Sequence, residues 1–486
     1  MLSRALAVIA ITTSAIACRS AVVVHPLDLA PADTELAILV HPQALEVADR
    51  ALQQVRAAGQ KHASVVGVAR AADLVAAELY GSTEASSLYQ AGLTPRKPMA
   101  VFVTPAGRVT VWPVSARARF VALRRGELRD GRDHVGSEVC APLGGHYVCT
   151  PDIETLSHLG GSDLRKRLDR AEPGDIQILL GERDPREPTS SFGVTFQRGQ
   201  VTVRGAIANL QWPSSPFARA ARPDPDGASA FFSLAVAPTS TSWSGIPPVL
   251  RELLADTTGR LSLRVPFGAR AFIAEIPIVD HTRIDERIAA CDVGSELPGL
   301  VTKLDGGACR IGPRGIPIRV DGDLVRIGET AVTGLRRPRL APGTLADLLE
   351  AEWSVAMWAR GSLTNLDEDG LAWFPGGPQL GHGGVGLLSE VVAGAEITKH
   401  EIRVVAAIRT IFAHSEDETE ALLTLLDRRT SGEDIAAPLA ALAQAHPSTP
   451  LASDIAASGY GLQLSGDLIR FAITAYSLFT DDAVQR

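Results

Sequence analysis

The segment Val139-Cys-Ala-Pro-Leu-Gly-Gly-His-Tyr-Val-Cys149 constrains this chain's fold more tightly than any other. Gly144-Gly145 suits a two-residue hairpin turn, which needs positive φ at both central residues. Around that turn, residue 143 opposes 146, 142 opposes 147, 141 opposes 148 and 140 opposes 149. The cysteines then face each other at a non-hydrogen-bonded pair, where side chains approach most closely and a disulfide can close. Pro142 falls on a position of the same kind, so its missing N–H costs the ladder nothing.

Five cysteines occur: Cys18, Cys140, Cys149, Cys291 and Cys309. An odd count in an exported protein leaves one over. Cys291 and Cys309 flank a glycine-rich loop and form the second expected pair. Closing each short loop is worth about 3 kcal/mol in the chain-entropy model. The rival is a four-thiolate zinc site. Gaps of eight and seventeen residues fit it poorly, because structural zinc favours gaps of two to four.

Cys18 remains. Met1-Leu2-Ser3-Arg4 carries one positive charge, and Ala5 to Ile16 is apolar or small apart from Thr12, Thr13 and Ser14. Ala15-Ile16-Ala17 then precedes Cys18. A charged start, a short apolar stretch and small residues at the cut make a secretory signal, too short to span a bilayer. This ending resembles the signals of bacterial lipoproteins, although Ala15 stands where those usually carry Leu. The resemblance covers the signal alone. It implies removal of residues 1–17, a diacylglycerol on the Cys18 sulfur and a membrane partner reached through that lipid. Arg19 stands where the inner-membrane retention signal has Asp, which implies the outer membrane. The same small residues also satisfy ordinary cleavage, whose product would be secreted or periplasmic and soluble.

A length of 486 residues allows two to four domains. Hydrophobic residues at 45% and charged residues at 21% match a globular chain. A net charge of −8 excludes a basic footprint, so no nucleic-acid partner is expected. The expected divisions are a signal peptide at 1–17, a lipidated tether at 18–34, a first domain at 35–211, a Pro-rich linker at 212–227 and a second domain at 228–486. Pro26 and Pro31 argue for the tether, and prolines 213, 216, 223 and 225 for the linker. Strands and helices mix without regular strand–helix–strand alternation. The expected class is therefore α+β, with largely antiparallel or mixed sheets and helices packed on one face. An offset of 178 residues relates His146-Tyr-Val-Cys149 to Leu324-Val-Arg-Ile327, and Ile176-Gln-Ile-Leu179 to Ser354-Val-Ala-Met357. Two similar halves are expected. Ala30-Pro-Ala-Asp-Thr34 leads into a strand in a way that resembles uncharacterised exported bacterial α+β repeat proteins, which carry no known activity.

Short motifs do not point to catalysis. Gly381-His-Gly-Gly-Val-Gly386 has dinucleotide spacing, but Trp373-Phe-Pro-Gly-Gly-Pro378 stands where a strand is required, so no cofactor is expected. Asn365-Leu-Asp-Glu-Asp-Gly370 begins like a calcium loop, but its twelfth position is Gly376 instead of Glu, so no metal is expected. No G-x-S-x-G, S-x-x-K or P-loop occurs, and no catalytic residue is assigned. Residues 361–386 exceed the usual loop length and contain Asp367, Asp369, Trp373, Phe374 and His382, a candidate binding loop. The expected function is a non-catalytic envelope lipoprotein acting in interaction, assembly or ligand binding. Its partner would be an envelope protein or an apolar ligand. An exported hydrolase with a dispersed site and a glycan binder using the aromatic loop are the alternatives.

Overall fold

The computed structural model describes residues 24–180, 189–210, 228–235, 257–266, 273–290, 301–303, 309–311, 316–328, 345–349, 353–360, 387–446 and 451. They form two compact units. The first takes the described residues of Met1–Asp49, Ala76–Ala171 and Asp175–Arg183; the second takes those of Arg50–Val75, Glu172–Gly174 and Asp184–Arg486.

Eight strands build the first unit: β1 (Leu36–Val40), β2 (Met99–Thr104), β3 (Gly107–Trp112), β4 (Glu127–Arg129), β5 (Arg132–Val135), β6 (Glu138–Leu143), β7 (His146–Thr150) and β8 (Ile176–Leu180). They pair in the order β8-β1-β2-β3-β7-β6-β5-β4, every ladder antiparallel. Helices α1 (Pro42–Lys61) and α2 (Val66–Tyr80) follow β1, α3 (Arg117–Leu123) follows β3, and α4 (Ile153–Ser157) and α5 (Leu164–Leu168) follow β7. Alternation along the strands turns Ala37, Leu39, Ala100, Phe102, Val109, Val111, Val148 and Leu179 into one core, covered by Leu27, Leu29 and Leu164. Tyr147, the neighbour of Val148 on β7, faces the other way and is buried as well. There Phe120 of α3 packs against it and Trp112. Helical elements therefore cover both faces of this sheet, where one covered face was expected.

The tether also needs correction. Val24 donates its N–H to Gly144 O at 3.2 Å. His25 and Asp28 then form a reciprocal cap on the 3-10 turn Pro26–Leu29, which buries Leu27 and Leu29. Pro26 begins this turn, because its fixed φ suits a first helical position. Residues 24–34 are thus packed structure.

Twelve strands build the second unit: β9 (Thr189–Gln197), β10 (Gln200–Ala208), β11 (Ala228–Ala235), β12 (Arg260–Pro266), β13 (Ile273–Pro277), β14 (Val301–Lys303), β15 (Cys309–Ile311), β16 (Ile316–Asp321), β17 (Leu324–Gly328), β18 (Val355–Arg360), β19 (Leu388–Ile397) and β20 (Glu401–Thr410). Their order is β9-β10-β20-β19-β18-β11-β12-β13-β17-β16-β15-β14, again antiparallel throughout. β9 and β10 group here because β10 pairs with β20. Residues 212–227 lie outside the described residues. Among the described residues the unit also contains helices α6 (His281–Ala290), α7 (Glu416–Thr430) and α8 (Ala436–Ala445) and a 3-10 turn at Leu345–Leu349. Ser415 and Glu418 make the capping box that their spacing predicts at the start of α7.

The strand order of the first unit recurs in the second as β18-β11-β12-β13-β17-β16-β15-β14. Register recurs with it. An offset of 178 carries β6 onto β16 and β7 onto β17 residue for residue. Trp112 opposite Tyr147 corresponds to Ile276 opposite Val325, but on the next pair the expected offset fails by one residue: burial matches Leu179, opposite Ala37, to Trp358, opposite Phe231, and not to the half-buried Met357. The hairpins β9–β10 and β19–β20 match at an offset of 201, and Arg204 pairs with Val405, its own counterpart. Gly193 and Gly394 are counterparts too. A Cβ at Gly193 would lie 2.1 Å from Pro173 O, and one at Gly394 would lie 2.6 Å from Leu349 Cδ2.

Candidate functional site

The β6–β7 hairpin has the expected register, with Cys140 opposite Cys149 and Pro142 opposite Tyr147. Gly144 and Gly145 both take positive φ, 58° and 82°. The cysteines are joined in a disulfide with Cα atoms 4.1 Å apart. That removes the four-thiolate zinc reading, since two of its ligands are bonded to each other. Glu138 lies beside the two sulfurs, but its carboxylate accepts from Arg108 Nη2 at 3.2 Å. Cys309 is buried at the start of β15 and is disulfide-bonded. Cys18, Cys291, Asp367, Asp369, Trp373, Phe374 and His382 lie outside the described residues.

A polar cluster adjoins the disulfide. Asp133 sits on β5 directly opposite Cys140, with its side chain inward. Arg117 of α3 grips its carboxylate with both arms, Nε to Oδ2 at 2.6 Å and Nη2 to Oδ1 at 3.0 Å. The Tyr147 hydroxyl donates to the same Oδ2. Burial pushes the Asp133 carboxyl up, but the bonds from Arg117 and Tyr147 outweigh it and hold the group below the ordinary carboxylate range. Burial first, then the Asp133 carboxylate, pushes the Tyr147 phenol up. Phe120 stands between Trp112 and Tyr147, with ring centroids at 5.5 and 5.4 Å. The Arg124 guanidinium lies over Phe120 at 4.0 Å and over Trp112 at 4.7 Å. It donates to Leu79 O at 2.7 Å and Tyr80 O at 3.2 Å. Burial lowers its pKa to about 10.

At the corresponding positions of the second unit the rings, the cation and the carboxylate are absent, although Cys309 there is also disulfide-bonded. By strand register Trp112, Asp133, Cys140 and Tyr147 correspond to Ile276, Cys309, Ile318 and Val325, and the 164-residue step from Trp112 to Ile276 carries Phe120 and Arg124 to Ile284 and Ile288 on the following helix. Those six residues form one buried apolar cluster. Compared with known protein families, curated proteins and solved structures, the chain matches none.

The sequence offered little sign of the polar cluster. Asp133 stands in Arg-Asp-His-Val on a four-residue strand, too short for alternation to declare which side faces inward. Chemically the cluster is a clamp. Both Asp133 oxygens are engaged and the phenol is held protonated, so neither group is poised to move a proton at neutral pH.

A second cluster lies in the second unit, where the turn between α1 and α2 meets α7. His62 Nδ1 lies 2.8 Å from Asp427 Oδ2, and Ser64 N donates to Asp427 Oδ1 at 2.8 Å. His62 Nε2 is 3.3 Å from Glu420 Oε1. Burial raises the Asp427 carboxyl, but hydrogen bonds from Ser64 and His62 prevail and lower it. His62 and Ser64 are both buried. A His–Asp pair beside a serine has the residue types of nucleophilic catalysis. Here the second imidazole nitrogen faces a carboxylate, where a general base would need to face a substrate.

Proposed function

We propose that this chain is a bacterial envelope lipoprotein, anchored through Cys18, that acts through its surfaces in interaction, assembly or ligand binding. The observation that carries this reading is Cys18 directly behind Ala15-Ile16-Ala17, after a charged and then apolar start. Arg19 favours the outer membrane. We also propose that the mature chain arose by duplication. The recurring strand order, the offset of 178 through two successive strands and the β10–β20 ladder centred on counterparts support it. Action through surfaces is supported by the engagement of both carboxylates, Asp133 by Arg117 and Tyr147 and Asp427 by His62 and the Ser64 N–H. Intact mass of the chain extracted from its own membranes tests the anchor. A mature chain beginning at Cys18 with a diacylglycerol-sized increment is expected, and a bare Cys18 or another start overturns the reading.

The hydrolase alternative is favoured by one observation, the grouping of Ser64, His62 and Asp427. A fluorophosphonate probe that labels the intact chain, and fails to label Ser64→Ala, would establish it over the non-catalytic reading. Absence of labelling at Ser64 would remove this grouping as its basis.

A further inference from the structure

The position of Val24 limits where a lipid on Cys18 can sit. Its N–H bonds to Gly144 O at 3.2 Å, and its own carbonyl accepts from His146 Nε2 at 2.8 Å. A Cβ on Gly144 would meet Val24 Cγ2 at 2.4 Å. Val24, the first described residue, therefore packs against the β6–β7 turn. Six residue steps separate Cys18 from Val24, and at full extension they span roughly 20 Å.

The same end of the sheet carries a second turn. Asp133 opposes Cys140, and Arg129 opposes Arg132. Antiparallel register thus sets the β4–β5 turn, Asp130-Gly131, beside Pro142-Leu143. Two leucines are exposed at this end, Leu128 at 66% and Leu143 at 39%. Lys97 reaches Gly145 O at 3.1 Å, with exposed Arg96 next to it. Arg129 and Arg132 flank the second turn, while the acids at this end include Glu127, paired to Arg129 at 2.6 Å, Asp130, and Asp28, which accepts from His25 N at 3.0 Å. Exposed leucines among excess basic groups suit a surface of anionic lipid headgroups.

We propose that this end of the first unit's sheet lies against the lipid headgroups of the membrane that holds the anchor. The inference rests on the lipidation of Cys18. The β2–β3 turn at Pro105-Ala106 and the β5–β6 turn at Gly136-Ser137 lie at the other end of the same strands. A six-residue strand separates the ends by roughly 20 Å, so the two ends should be distinguishable by their distance from the membrane.

The test uses the full lipidated chain in vesicles of phosphatidylethanolamine and phosphatidylglycerol that contain headgroup spin-labelled lipid. A fluorescent amino acid replaces Leu143 in one sample and Ala106 in another. Severalfold stronger quenching at 143 than at 106 is expected. Equal or reversed quenching on a chain that still sediments with the vesicles overturns the orientation and leaves the anchor standing. A chain that carries no lipid by mass and stays in solution overturns both. Combining Arg96→Glu, Lys97→Glu and Arg132→Glu should bring the quenching ratio toward one while the lipid keeps the chain on the vesicle. An unchanged ratio would overturn the contribution of these charges.

Discussion

Trp112, Phe120, Arg124, Asp133, Cys140 and Tyr147 enclose a cation, a carboxylate, a phenol, three rings and a disulfide in the first unit. In the second unit, the register counterparts Ile276, Cys309, Ile318 and Val325 and the helix residues Ile284 and Ile288 pack as a core that is aliphatic apart from the disulfide-bonded Cys309. The strand order around the two clusters is the same. The pairing scheme therefore requires that these positions point inward and fill space. It does not require a particular chemistry. The Arg117–Asp133 pair, buried on the carboxylate side and half exposed on the arginine side, adds little net stability over well-packed aliphatics. What the first cluster adds is direction, since Arg117, Tyr147 and Asp133 fit together in one arrangement only, whereas isoleucines tolerate repacking.

The largest effect that would sharpen this contrast is truncation of the helix residue at its centre. Phe120→Ala should cost about 4 kcal/mol and Ile284→Ala about 3 kcal/mol, since both side chains are fully buried and leave cavities. Hydrogen exchange read on peptides from each unit should show each loss confined to its own unit. A loss shared equally by both would break the comparison.

Next comes Asp133→Asn, which removes a charged acceptor from Arg117 and Tyr147 and should cost about 2 kcal/mol. The pH dependence follows from the sign of the shift. A carboxyl whose folded pKa lies below its unfolded value contributes stability above that unfolded value, about 4, and loses it as pH falls through the folded one. The first unit should therefore weaken below about pH 4, and Asp133→Asn should flatten that decline. Asp427 predicts a separate acid-sensitive contact at α7 in the second unit, unchanged by the Asp133 substitution. An acid profile identical in wild type and variant would remove Asp133 from the account.

The smallest effect tests convergence of the two clusters. Arg124→Met puts a flexible apolar side chain where the second unit has Ile288. Loss of the guanidinium–ring contacts should cost about 1 kcal/mol, measurable as a shift in the denaturation midpoint. A loss several times larger would show that the bonds to Leu79 O and Tyr80 O hold the end of α2 in place.

Much of the local structure was legible beforehand. Two apolar runs about Arg198-Gly199 predict a hairpin, and β9 and β10 turn there; residues Thr282–Ala290 read as a helix, and α6 spans His281–Ala290. β4 and β5 were missed because strands of three and four residues show no measurable period. β19 was missed because it follows directly on the glycine-rich 361–386 stretch. Pro26 and Pro31 read as breakers in the sequence, but Leu27 and Leu29 between them enter the first unit's core, so the segment packs instead of trailing.

The sequence by itself determined what depends on neighbours within about ten residues. Cys140 meets Cys149 because a two-residue turn fixes register by parity, and Ser415 caps α7 because Glu418 is one turn away. The tertiary structure alone decided which distant strands meet, such as Leu36 with Leu180 and Gln200 with Arg409. It also decided that Asp133 would find both Arg117 and Tyr147. Alternation says which side chains turn inward, but many apolar strands could satisfy one another equally well. Only the packed chain fixes which partner each receives.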